Sequence, residues 1–257
     1  MPRDGSFTID AFHRGRFHLV QPAGKGHRAG LDAMLLAGAV PGNFSGRLAD
    51  LGAGAGAAGF AVAARCREAR VVLVERSPEM TACARESIRL PENGMLAPRL
   101  SVVEADVGLS GRERRSAGLA DRSFDFIIMN PPFNAAHDRA TPDRLKRQAH
   151  VMEDGLFDCW LRTAAAISAP GAAIGIIARP ASLGEILTAL SGRFGSTEAL
   201  SIHARAQSEA IRVVVRARKG ARGGLKFRPQ LVLHGEEHGF TPRADAIING
   251  RATLFDD

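Results

Sequence analysis

The tetrapeptide Asn130-Pro131-Pro132-Phe133 closes the apolar run Phe126-Ile-Ile-Met and gathers residue types with one shared use. The Asn130 carboxamide oxygen and the Pro131 backbone carbonyl are two hydrogen-bond acceptors placed side by side. An amino group conjugated to a ring or a carbonyl has little free lone pair. Two acceptors on its two hydrogens draw the nitrogen toward tetrahedral geometry and aim that pair at an electrophile. The tandem prolines fix the turn that presents the acceptors, and the Phe133 ring can stack on a planar base or amide. A proline turn after a buried strand explains the prolines alone. It leaves the asparagine and the aromatic without a reason.

A second constellation lies upstream. Asp50-Leu-Gly-Ala-Gly-Ala-Gly follows an apolar run, and Gly54 to Gly59 also fits GxGxxG. Gly52 and Gly54 allow a sharp turn and close approach of a ligand to the main chain, a pattern shared by several nucleotide cofactors. Three acids narrow the choice. Asp50 ends one strand-like run, where it can hold an amino group directly or through water. Glu75 ends the next, where it can take both ribose hydroxyls, as an acid also does in dinucleotide sites. Asp106 follows the third, where it can accept from an adenine amino group, and this acid is not part of the dinucleotide fingerprint. Together they point to S-adenosylmethionine, with Asp50, Gly52, Gly54, Glu75 and Asp106 on the cofactor side. Asn130 must meet both the amine and the methyl donor and belongs to that side as well. The sulfonium is a good leaving group, so orientation and hydrogen bonding suffice and no strong base is needed.

These residues need elements that deliver them to one edge. Strand-like segments at 48–51, 71–75, 100–104, 124–129 and 172–178 alternate with helix-like segments at 57–65, 78–90, 156–167 and 182–194. That alternation predicts βαβ units around a mostly parallel seven-stranded sheet, helices on both faces and ligands at the carboxyl ends of the strands. Two last strands, near 200–203 and 211–218, have no helix between them and are expected to form an antiparallel pair at one edge. Residues 1–30 read as an extension of loops and a short hairpin, residues 31–40 as a short apolar helix, and residues 31–257 as one Rossmann-like α/β core. Two polar stretches, 108–122 and 134–151, read as long loops. Arg112, Arg114, Arg115, Arg139, Arg144, Lys146 and Arg147 on them, and the basic stretch 212–228, are candidates for holding phosphates.

With 257 residues, 45% hydrophobic, the chain suits one soluble α/β domain. No apolar run reaches the roughly 20 residues of a membrane helix, and no signal-peptide pattern follows Met1, so a cytoplasmic protein without a membrane partner is expected. The scattered Cys66, Cys83 and Cys159 form no disulfide framework or zinc spacing, and the eight histidines show no metal-binding pairing, so no protein-held metal is expected. Cys159 reads as a core residue of its helix. A net charge of +7 suits a polyanionic partner; the excess of 30 arginines over 4 lysines is also what a GC-rich genome produces.

The glycine loop, its acids and Asn-Pro-Pro-Phe make the chain resemble class I (Rossmann-like) methyltransferases of exocyclic amines. It is most similar to the bacterial tRNA adenine-N6 methyltransferases that modify the adenine beside the anticodon of a valine tRNA. The similarity covers roughly residues 16–220 and includes Gly30-Leu-Asp-Ala-Met-Leu-Leu and Arg139-Ala-Thr-Pro-Asp-Arg. Phe133 stands where tyrosine is commoner, and the sequence after Gly220 follows the family only loosely. The resemblance implies that Gly30 and Asp32 lie near the methionine moiety and that Asn130, Pro131, Pro132 and Phe133 are the catalytic motif. It also implies a tRNA anticodon loop as partner, whose unstacked bases are cheap to extrude. Other readings stay open. A glutamine-amide protein methyltransferase can use the same motif, although such enzymes carry an N-terminal helical domain for which residues 1–40 are short. A small-molecule O-methyltransferase would need a base or metal that Asn130 does not supply. An NAD(P)-dependent oxidoreductase of the short-chain type needs a tyrosine, and the chain has none.

Overall fold

The computed structural model describes residues 7–23, 30–132, 155–236 and 239–257. Phe133 and the stretch 134–151 with its basic residues therefore lie outside the described residues.

An antiparallel hairpin, β1 (Phe7–Phe12) and β2 (Phe17–Pro22), precedes α1 (Leu31–Ala37). The alternation expected from the sequence then unfolds as β3 (Gly46–Leu51), α2 (Ala57–Arg65), β4 (Ala69–Glu75), α3 (Pro78–Arg89), β5 (Leu100–Glu104), α4 (Gly111–Ser116) and β6 (Phe124–Met129). After 155 come α5 (Leu156–Ile167), β7 (Ser168–Ala178), α6 (Leu183–Leu190), β8 (Phe194–His203) and β9 (Ala210–Lys219). Two short strands, β10 (Lys226–Phe227) and β11 (Leu231–Val232), and the helix α7 (Pro242–Ile248) complete the described elements.

The sheet runs β5-β4-β3-β6-β7-β9-β8, with β10 and β11 both beside β8. All neighbours are parallel except β9, which is antiparallel to β7 and to β8. The expected antiparallel pair is thus present, but β8, the later member of the order, runs with the main sheet. Nine strands replace the expected seven because residues after Gly220 add two short strands along the outer edge. Strand period two divides the core between the faces. Leu48, Val71, Leu73, Phe126 and Ile128 pack toward α1, α2 and α3, while Ala49, Leu51, Val72, Val74 and Met129 pack toward α5 and α6. The order in which strands are added reverses between the parallel neighbours β3 and β6, so a crevice opens at their carboxyl ends.

One stretch contradicts the sequence reading. Residues 108–122 are not a loop throughout: α4 forms within them, because Arg114 is buried and donates to the Leu119 carbonyl and to Asp121. Arg115 also pairs with Asp121. Arg114 therefore serves the fold and is not free to hold phosphate, while Arg115 stays half exposed beside Asp121.

The hairpin is seated on the rest of the molecule by His13, whose ring meets Phe17 edge-on at 5.2 Å between centroids and covers Gly250. Burial first, and then Arg16 and Arg65, push the His13 pKa down to about 4. An unfolded histidine protonates near its ordinary 6.5, so the unfolded chain binds the proton first as pH falls. We expect the stability that His13 contributes to be present above pH 6.5 and lost between there and pH 4. Melting temperature against pH should flatten across that window in His13→Phe.

Candidate functional site

The glycine loop is built by sharp packing. Gly52 has φ of +71°, and a Cβ there would lie 2.5 Å from the Trp160 ring. Only glycine satisfies both the backbone and the indole. Further along, Gly59 lets α2 sit directly on β4, and its amide donates to Asp50 Oδ2 at 2.9 Å. Gly52 and Ala53 both donate to the Val74 carbonyl, at 2.8 and 3.0 Å, which ties the loop to the end of β4.

Around this loop lies a cleft of about 1210 Å³. Every described residue expected on the cofactor side lines it: Gly30, Asp32, Asp50, Gly52, Gly54, Glu75, Asp106 and Asn130. Pro132 lines it too, while Pro131 is buried beside it. The cleft joins the carboxyl ends of β3, β4, β5 and β6, as the alternating pattern required.

The acids are oriented by main-chain amides. Glu75 Oε1 accepts from Arg76 and Ser77 at 2.9 and 2.8 Å, and Oε2 accepts from Gly54 at 2.9 Å. Its carboxylate is therefore locked against the loop, with lone pairs left for a vicinal diol. Asp106 accepts from the Gly108 amide at 2.6 Å and pairs with Arg76 at 3.3 Å. Asp50 is 2% exposed. Burial, opposed by the Gly59 amide and reinforced by Glu75, pushes its pKa up to about 7. Asp50 lines the cleft with Oδ2 already accepting from Gly59, so the direct or water-bridged contact expected of it falls to the other oxygen or to water. By contrast, the Asn130 carboxamide is half-buried on the cleft wall and makes no hydrogen bond to a described residue.

The raised Asp50 pKa has a sign that can be checked. The folded value lies above the ordinary 3.8, so stability is fully present below 3.8 and is lost as pH rises toward 7. A cationic ligand group near Asp50 reverses this by favouring the carboxylate. We expect affinity for a ligand carrying an ammonium group to rise with pH up to about 7. Calorimetry in buffers of different ionisation enthalpy should show proton release below pH 7, and Asp50→Asn should abolish it.

Sequence reasoning missed three lining residues. Trp160, the sole tryptophan, caps Gly52; Arg76 holds Asp106; and Arg212 holds Asp32 at 2.8 Å. The expectation that Cys159 is a core residue is corrected: it is half-buried and faces the cleft beside Gly108, because α5 turns its Cys159–Trp160 edge outward. In the basic stretch 212–228, Arg212 is bound to Asp32, Arg216 to Glu198 and Asp257, and Arg228 to Glu198. Arg222 and Lys226 stay exposed without an acidic partner among the described residues, next to Phe227, which is 70% exposed. No helix among the described residues is long and apolar enough to cross a membrane.

Comparison with known proteins gives a consistent frame. A family model described as the methyltransferase small domain matches residues 28–151, from just before α1 through the segment after β6. The chain is 45% identical to protein Atu636 of Agrobacterium tumefaciens, whose crystal structure is described as that of a predicted O-methyltransferase. The match covers 87% of this chain and 98% of that one, with a TM-score of 0.76. Two distant structures share the fold: the T. thermophilus 16S rRNA N2 G1207 methyltransferase in complex with AdoMet and guanosine, and M. jannaschii TYW2 in complex with AdoMet. The first is 18% identical over 83% of this chain and 50% of its own, with a TM-score of 0.55. The second is 13% identical over 85% and 88%, with a TM-score of 0.54. No curated protein sequence matches the chain significantly.

Proposed function

This chain belongs to the S-adenosylmethionine-dependent methyltransferases that carry the methyltransferase small domain, and from that premise we propose that it methylates an exocyclic amino nitrogen, N6 of an adenine in tRNA. One observation carries the reading: Asn130, heading Asn-Pro-Pro-Phe, sits on the wall of the acid-lined cleft with its carboxamide free of hydrogen bonds to described residues.

The cleft fits the cofactor by its own chemistry. Gly52 and Gly54 leave the main chain bare, Glu75 presents an immobilised carboxylate suited to a ribose diol, and Asp106 accepts at the far end of β5. When bound, S-adenosylmethionine supplies an electrophilic methyl group on a sulfonium. Asn130 accepts one N–H of the acceptor amine and the Pro131 carbonyl accepts the other, which frees the nitrogen lone pair. Held this way by Asn130 and Pro131, the amine would present its lone pair to the methyl group that the cofactor supplies, and no strong base from the chain would be needed. Phe133, outside the described residues, is the ring we propose for stacking on the base. The work of the protein is orientation and hydrogen bonding.

A nucleic-acid acceptor suits the net charge of +7. With Arg114 and Arg115 paired with Asp121, Arg112, Arg122, Arg218, Arg222 and Lys226 are the described cations of the candidate stretches that have no acidic partner among the described residues. Binding should then fall steeply with salt, and Arg222→Glu with Lys226→Glu should weaken tRNA binding while sparing cofactor binding. Gel-shift titrations at two salt concentrations read both effects.

Asn130 carries neither a base nor a metal ligand, which favours nitrogen over oxygen as the acceptor atom. The description of the Agrobacterium relative as a predicted O-methyltransferase keeps an oxygen acceptor as the second reading. Incubation with methyl-labelled S-adenosylmethionine and either tRNA or cell protein separates the acceptor classes. Label in tRNA is expected; label confined to protein or to small molecules would overturn the proposal.

A further inference from the structure

The outermost strand beyond β8 carries an aromatic ring that the cleft does not use. β10 lies at that edge of the sheet, and its Phe227 is 70% exposed. Successive register pairs set it in one row with the cleft. Phe227 is opposite Ala199, Ala199 opposite Val215, Val215 opposite Ile176, and Ile176 opposite Met129. Met129 immediately precedes Asn130. Residues opposite one another share a face of the sheet, and Met129, Ile176, Val215 and Ala199 all belong to the core on the α5 and α6 side. Phe227 ends this row uncovered, four strand spacings or about 19 Å across the sheet from Met129.

The backbone around the ring is pinned. The Ser196 amide donates to the Gly223 carbonyl at 3.1 Å, and the Arg228 amide donates to the Ala199 carbonyl at 2.8 Å. A Cβ on Gly195 would collide with the Ala221 carbonyl oxygen, so the loop before β10 rests directly on β8. Residues 218–230 hold five cations, Arg218, Lys219, Arg222, Lys226 and Arg228, and no acid. Lys219 is engaged by the carbonyls of Ala165 and Ser168, and Arg228 by Glu198. Arg218, Arg222 and Lys226 are exposed with no acidic partner among the described residues. A bare ring among free cations suits a polyanion that has flat apolar faces. Sites for single-stranded nucleic acid combine these two features.

We infer that Phe227 is a stacking platform for an unpaired base of the RNA acceptor, outside the methylation site, with Arg218, Arg222 and Lys226 taking the neighbouring phosphates. The inference rests on the nucleic-acid reading above and extends it. The separation from Met129 exceeds one nucleotide, so the RNA must run across the sheet to engage both places. The rival occupant is a second copy of this chain along β10. Two features oppose it. A two-fold axis at this edge would set the cation-rich segment against its own copy. The strand is also only two residues long and lies just ahead of Pro229, a poor template for edge pairing.

Fluorescence anisotropy with labelled tRNA tests this without any methyl transfer. Phe227→Ala should weaken binding by about 10-fold or more, the worth of one base stacked on an aromatic ring. Phe227→Leu should lose as much, because an apolar side chain without a flat face does not replace the ring. The salt dependence should keep its slope in both, since no charge is removed, and should flatten in Arg222→Ala/Lys226→Ala. Phe227→Trp should bind as tightly as the unaltered protein, and the fluorescence it adds should be quenched when tRNA saturates. Binding within about two-fold in Phe227→Ala, or added fluorescence that tRNA leaves unmoved, would overturn the platform. Weaker self-association of Phe227→Ala in sedimentation, with tRNA binding intact, would overturn it in favour of the second copy. Failure of the unaltered protein to bind any RNA would instead remove the nucleic-acid reading beneath it.

Discussion

Asn130→Ala is expected to lower methyl transfer by roughly 10²–10³-fold or more, the scale on which one preorganised hydrogen-bonding group acts at a reacting centre. Cofactor affinity should stay nearly normal, because Glu75, Asp106 and the glycine loop are oriented by bonds that do not involve Asn130. The side chain makes no hydrogen bond to described residues, so its removal should not cost much stability. Single-turnover rates and calorimetry on the same preparation read the two effects. Loss of cofactor binding in this variant would show that Asn130 belongs to the cofactor and that its catalytic role is misassigned. Asn130→Asp keeps the shape and both acceptors but adds a charge beside an acid-lined cleft. It should recover little activity on a neutral base.

Glu75→Ala carries the second large effect. The carboxylate accepts three main-chain amides, from Gly54, Arg76 and Ser77, and has lone pairs left for a diol. Its removal deletes two candidate ligand contacts and unpins the loop that cradles the ligand. With charge-assisted hydrogen bonds worth about 1.5–3 kcal/mol each, cofactor affinity should fall by about 100-fold or more. Glu75→Gln keeps one carbonyl oxygen and should lose less. Calorimetry with S-adenosylhomocysteine, beside a melting curve without ligand, separates lost contacts from a loosened loop. An affinity within a few-fold of normal in Glu75→Ala would contradict the ribose assignment.

The parts of this molecule legible from sequence are those governed by local pattern. The apolar runs at β3, β4, β5 and β6 are short, rich in branched residues and bounded by breakers, so their ends and the acids that follow them were readable directly. The acids and Asn130 converge because parallel strands finish on one edge, a rule that needs no knowledge of contacts. What escaped depends on long-range pairing. α4 is six residues long and polar, and it is held by a buried Arg114 reaching Asp121, a partnership that periodicity does not reveal. The Arg212–Asp32 bond joins residues 180 positions apart. In the sequence Arg212 was one cation in a basic stretch, and only folding assigns it an acid. Cys159 and Trp160 were placed correctly in a helix, yet the rotation of α5 about its axis decides that they face the cleft.

The most direct measurement is where the methyl group lands. After incubation with labelled S-adenosylmethionine, tRNA from cells lacking this protein would be digested to nucleosides and resolved by mass spectrometry. Label in N6-methyladenosine, absent with Asn130→Ala, is the predicted result. Label on a ribose oxygen, or on a ring nitrogen that has no hydrogens for Asn130 to accept, would contradict it.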